Sequence, residues 1–156
     1  MRAAFRTVRA WRPFALDAIA IMPDHVHTLW TLPADDTDFS IRWSRIKGCF
    51  TRAFLAAGGD EADRGASRCR RGERGVWQRR FWDHVIRDDA DLSRHFEYIL
   101  YNPVRHGLVD CPHAWPHSSF GAHVRAGVYD ADWMCICRGR TRREPDFRAL
   151  REGTGE

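Results

Sequence analysis

The chain has 156 residues, 44% of them hydrophobic and 29% charged, which is enough for one compact core and too few for two full domains. No stretch reaches the length of a transmembrane helix, and the first residues, MRAAFRTVRAWRPF, lack the apolar centre of a secretory leader, so the expected location is the cytoplasm. The net charge of +4 is carried almost entirely by arginine, Lys47 being the one lysine; guanidinium forks suit phosphate oxygens, so the charge admits a nucleic-acid partner without demanding one.

Residues 1 to 11 read as a short arginine-rich helix ending before Pro13. Phe14 to Met22 is apolar and of strand length, Pro23 and Asp24 supply a turn, and His25 to Leu32 alternates as a second strand. Within this hairpin, MPDHVH sets His25 and His27 two residues apart. In a strand such residues share a face with Cα atoms about 6.8 Å apart, so two imidazoles can reach one metal ion. Alternation of polar and apolar residues also belongs to any half-buried strand, and the triplet by itself leaves both readings open.

Phe39, Trp43, Ile46, Phe50 and Phe54 recur at spacings of three and four, the buried stripe of a helix that Thr37 or Asp38 can cap and Gly58 with Gly59 can end. Residues 58 to 75, GGDEADRGASRCRRGERG, have no apolar periodicity and read as a mobile connector, either a grip on a phosphate backbone or a solvated insertion. Val76 to Arg87 alternates as a third strand with Trp82, His84 and Ile86 on one side. A helix then runs from about Asp88 to Tyr101. Its acidic first turn suits the positive end of the helix dipole, and its apolar stripe is Leu92, Phe96 and Ile99. The proline at 103 predicts a stop near Asn102. On that geometry Arg94, Tyr98 and Asn102 lie on an outward face, where Tyr98 either serves chemistry or packs its ring at the core edge. The five cysteines show no zinc-knuckle spacing, Cys135 and Cys137 being separated by one residue, and are expected to be reduced and structural.

The strings MPDHVH, VWQRRFWDHVIRDDADL, YILYNPVRHGLV and AWPHSSF follow one another in an order that resembles the REP-associated tyrosine transposases, over roughly residues 14 to 120. These belong to the insertion-sequence-200-like branch of the single-tyrosine HUH nucleases. The resemblance implies an α+β fold, an antiparallel sheet with helices packed mainly on one face. It implies a transposase domain over 1–125 and leaves 126–156 as a tail of unassigned role. Relatives usually begin with an additional strand ahead of the first helix, and the resemblance implies that this chain lacks it, so the sheet is expected to expose an edge, open to pairing with another chain or to instability. The motif carries Asp24 where Asn is commoner, a change that a turn tolerates.

By the same resemblance His25, His27 and Asn102 are metal ligands and Tyr98 is the nucleophile, while His84, Arg87, Arg94, Arg79, Arg80 and Arg105 are candidates for DNA contact. The implied cofactor is Mg²⁺ or Mn²⁺, and the implied partner is single-stranded hairpin DNA from palindromic repeats, bound by a monomer or homodimer. The implied reaction is metal-dependent cleavage and strand transfer through a 5′-phosphotyrosine. Two alternatives stand beside it, a domesticated or truncated relative that binds hairpins without cutting, and a small metal-dependent phosphoesterase.

Overall fold

A computed structural model of the chain describes residues 1–79, 81–137 and Phe147. Among them are five α-helices, one 3-10 turn and a two-stranded antiparallel sheet, an α+β fold. The chain divides into two compact units, Met1–Phe14 with Leu32–Phe81, and Ala15–Thr31 with Trp82–Glu156.

The first unit pairs α1 (Arg2–Trp11) with α2 (Phe39–Ala56). Helix α1 buries Ala4, Phe5 and Val8, and Phe5 meets Trp43 of α2 with ring centroids 6.1 Å apart. The predicted stripe of α2 is recovered: Trp43 and Ile46 are buried, and Phe50 stacks on Phe54. Asp38 occupies the N-cap position, yet its carboxylate turns to the Arg12 guanidinium at 2.7 Å instead of capping the helix. At the other end Gly58 takes a φ of 83°, which lets Gly58 and Gly59 donate back to Leu55 and Phe54 in a Schellman closure. Arg42 is the largest fully buried side chain among the described residues; its fork holds both oxygens of Asp36 and reaches the Pro13 carbonyl at 3.1 Å. Trp77 donates its indole N–H to Thr51 and packs on Trp43 and Phe50, so it belongs to this unit's core.

Two expectations for this region change. The connector 58–75 contains a short helix, α3 (Ala66–Arg70), and is folded back on itself, with Ala62 donating to the Gly75 carbonyl and Arg74 bidentate on Glu61. Val76 to Arg87 is not a strand among the described residues. Alternation makes a strand possible, but a strand exists only where another ladders beside it, and here Trp77 and Trp82 go to aromatic packing instead.

In the second unit β1 (Ala15–Ile21) pairs with β2 (Val26–Thr31) in the register Ala20 to His27 and Ile21 to Val26. A bulge between Leu16 and Ala18 leaves Asp17 out of the ladder, where Thr31 donates its hydroxyl to it at 2.8 Å. The chain reverses through Pro23 and Asp24, with Met22 N–H donating to the His25 carbonyl. Helix α4 (Asp89–Arg105) lies on this sheet, and Ala18, Ala20, Met22 and Leu29 form a core with Tyr98, Ile99, Tyr101, Val104 and Phe147. The outer edge of β1 is not left open: Ile21 N–H donates to the His117 carbonyl and Ser119 N–H to the Ile19 carbonyl, so the WPHSS segment partly covers it. Beyond it α5 (Phe120–Arg125) buries Phe120 against Tyr129 and Trp133.

Candidate active site

Helix α4 builds the site, and its start follows local chemistry. Asp88 is extended and its carboxylate accepts the Asp91 N–H at 2.7 Å, a side-chain cap at the positive end of the helix. Its end does not follow the proline. The helix continues through Pro103 to Arg105 and closes at Gly107, whose φ of 67° allows Leu108 N–H to reach the Pro103 carbonyl and Gly107 N–H the Val104 carbonyl. The bias against a helical residue before proline is small beside the burial of Asn102, Pro103 and Val104 together. Gly107 was the usable stop signal in the sequence.

The face assignment changes with it. Leu92 is exposed, whereas Tyr98 and Asn102 are buried, at 4% and 0% exposure, so the face carrying the tyrosine points into the sheet. There it meets the histidine pair. The His27 ring stands edge-on to the Tyr98 ring with centroids 5.3 Å apart, and the His25 and His27 rings are 4.8 Å apart. His106, just past the helix, brings a third imidazole 5.2 Å from His25. Arg105 donates to the Tyr98 hydroxyl at 2.8 Å, and Phe147 covers the tyrosine ring from another side at 5.2 Å.

The ligand chemistry of this cluster fits a divalent ion. The Asp24 carboxylate can only accept, so at 2.7 Å it fixes the proton of His25 on Nδ1 and leaves Nε2 with a lone pair. In return that hydrogen bond holds the Asp24 carboxyl below the usual carboxylate range. The fully buried Asn102 amide has no hydrogen-bond partner for Oδ1 or Nδ2 among the described residues. A buried amide without partners costs about 1–3 kcal/mol, which ligation through Oδ1 would offset.

No family model matches the chain. A Haemophilus influenzae protein named for the REP-associated tyrosine transposases is 44% identical over 132 residues, 85% of this chain and 73% of that one. The REP-associated tyrosine transposase of Escherichia coli is 41% identical over 133 residues, covering 85% and 70%. A solved structure, described as the REP-associated tyrosine transposase bound to a REP hairpin, matches with a TM-score of 0.70 at 38% identity, over 92% of this chain and 78% of that one. This chain belongs to the REP-associated tyrosine transposases. Its α+β architecture matches that family's structure, and no helix among the described residues is long and apolar enough to cross a membrane.

The family's WDHVIRDDADL string has a clear local role in this member. Asp91, buried at the first turn of α4, accepts from His84 Nε2 at 2.6 Å and from the Arg87 backbone N–H at 3.1 Å, while Arg94 lies 3.6 Å from its other oxygen. These bonds, that of His84 foremost, hold its carboxyl well below the usual range. His95 donates its Nδ1–H to the Asp91 carbonyl at 2.9 Å and stacks on His84, with Trp82 parallel beyond. His84, Asp91 and His95 also form a group whose ligand atoms lie close enough to hold a metal ion. Of the remaining predicted contacts, Arg79 is engaged by Glu73 and Ser67, and Arg80 lies outside the described residues. Sequence reasoning missed His106, Phe147, Asp91 and His95. The HG pair after the YNPVR string could have drawn attention to His106, whereas nothing local in the sequence points to Phe147.

Proposed function

We propose that this transposase cuts single-stranded hairpin DNA with Tyr98 as nucleophile, and that His25, His27 and Asn102 hold a divalent ion, Mg²⁺ or Mn²⁺. The observation that carries the reading is convergence: Tyr98 of α4, with the Arg105 guanidinium on its hydroxyl, meets the ring of His27 from β2, and the ring of His25, just before β2, lies against His27. A free tyrosine, with a pKa of about 10, is about one part in a thousand phenolate at neutral pH and needs its surroundings to react. Arg105 supplies part of that help, because a guanidinium at the hydroxyl oxygen favours negative charge developing there. A bound ion supplies Lewis acidity toward the scissile phosphate. Attack by the Tyr98 oxygen on phosphorus forms the phosphotyrosine ester and releases the sugar 3′-OH. The bond energy is kept in the protein–DNA link, so rejoining needs no nucleotide cofactor.

Arg87, Arg94 and His84 border the buried Asp91 at the start of α4, and Arg87 and Arg94 keep much of their side chains exposed, which suits contact with phosphates. A second reading rests on the burial of Tyr98 under Phe147: a relative that binds hairpins without cutting them. A labelled hairpin incubated with protein and Mn²⁺ separates the two. A denaturing-gel adduct that needs both metal and Tyr98 supports cleavage, whereas binding on a native gel with no adduct supports the non-cutting reading.

A further inference from the structure

A second cluster of ligands lies away from the tyrosine. Cys111, Cys135 and Cys137 bring three sulfurs within 4.8 Å of one another, with Cys111 and Cys135 buried. Cys111 and Cys135 are joined as a disulfide, which corrects the expectation of reduced thiols, and Cys137 Sγ rests 3.1 Å from Cys111 Sγ. His113 Nδ1 is 3.6 Å from Cys135 Sγ. Two short pairs therefore face each other, Cys-x-His at 111–113 and Cys-x-Cys at 135–137, and the Ile136 N–H bond to the Asp110 carbonyl at 2.9 Å holds their segments side by side.

A disulfide accounts for two of these sulfurs and leaves the third, and the imidazole, unexplained. We propose that in the reduced protein Cys111, Cys135, Cys137 and His113 bind one zinc ion. Zinc bonds of about 2.3 Å to sulfur and about 2.0 Å to nitrogen, set tetrahedrally, give edges of roughly 3.8 Å between sulfurs and 3.5 Å between sulfur and nitrogen. The His113 to Cys135 separation already has that length, and the sulfur pairs need only spread once the disulfide is opened. Three soft sulfurs and an imidazole select zinc over the magnesium-like ions proposed at the histidine pair. A phosphine reductant supplies two electrons to the disulfide and leaves as its oxide, water giving the oxygen and the two protons, and zinc then displaces one proton from each of the three thiols. His113 now donates its Nδ1–H to the Ala131 carbonyl at 3.0 Å, so ligation through Nδ1 gives up that bond and moves the ring proton to Nε2, the imidazole binding as the neutral ring. The ion would tie the 110–113 turn, which precedes the segment covering the β1 edge, to the stretch ending at Cys137, ten residues before Phe147.

The test uses the full-length chain carrying His25→Ala and His27→Ala, so that metal held at the proposed catalytic pair does not enter the count. After phosphine reduction, one equivalent of zinc per chain should survive dialysis, read by elemental mass spectrometry. Titration with cobalt should raise the thiolate-to-cobalt charge-transfer band and the ligand-field bands of a tetrahedral site. Cys137→Ser should weaken metal affinity at least about tenfold, while Cys49→Ser with Cys69→Ser, at thiols that are not part of the cluster, should leave it unchanged. A reduced chain that retains no zinc, or a cobalt complex without the thiolate band, overturns the proposal whether or not Cys137→Ser folds, and leaves the cluster as a redox pair with a neighbouring thiol. Neither outcome bears on Tyr98, whose adduct is measured on the chain with both histidines intact.

Discussion

Tyr98→Phe tests the proposed chemistry with little structural disturbance. The ring keeps its place between His27 and Phe147, and one hydroxyl is lost along with its 2.8 Å bond to Arg105. A hydrogen bond is worth about 0.5–1.5 kcal/mol net, and about 1.5–3 kcal/mol when one partner is charged. Arg105 is only half-buried, so water can take over its freed N–H, which places the cost near the low end, about 1 kcal/mol. For a chain of this size that lowers Tm by about 2–4 °C. Hairpin affinity should therefore stay within about threefold, equivalent to less than 1 kcal/mol. Adduct formation, in contrast, should vanish, because phenylalanine carries no oxygen to attack phosphorus. The assay is a labelled hairpin with Mn²⁺ on a denaturing gel, beside a thermal melt and an anisotropy titration. Tyr101→Phe, at the buried neighbour, should keep the adduct and serves as the control. An undiminished adduct in Tyr98→Phe would refute the assignment of the nucleophile, and a melt lowered far beyond a few degrees would refute the estimate of what the hydroxyl contributes.

Other expectations follow from neighbouring parts of the fold. The Asp91 carboxyl has a folded pKa below its unfolded value of about 3.9, so its contribution is present above that pH and is lost as pH falls below it; Asp91→Asn should flatten the acid limb of a Tm-against-pH curve below about pH 4. Asp24→Ala frees the His25 ring from its carboxylate and should weaken Mn²⁺ binding by about 10–100-fold in calorimetry, with hairpin affinity in EDTA unchanged. Phe120→Ala empties a fully buried site stacked on Trp133 and should cost about 3–5 kcal/mol in urea denaturation. Hairpin affinity should fall steeply with salt, and Arg94→Ala should reduce the slope of log affinity against log salt by about one unit if Arg94 meets a phosphate.

What was legible in the sequence was whatever local chemistry decides. The apolar run of 14–22 and the alternation of 25–32 around Pro23 and Asp24 describe a hairpin, and residues two apart on a strand share a face whatever lies opposite, so His25 and His27 were readable as a pair. The limits of α2 follow from its stripe and from Gly58, and the start of α4 from the capping carboxylate of Asp88, since these bonds are made within a few residues. The four motif strings carried the family because each is itself local. Partners distant along the chain decided the rest. Residues 76–87 have the alternation of a strand, but no described strand pairs with them. The second half of α4 is apolar nearly all round, so its periodicity could not say that Tyr98 and Asn102 face the sheet; only packing against Ala18, Ala20 and Phe147 does. Cys111 and Cys135 are 24 positions apart, and no sequence pattern places Cys137 and His113 beside them. Sequence sets backbone preference and side-chain period, whereas burial and ligand geometry depend on which distant segments the folded chain brings together.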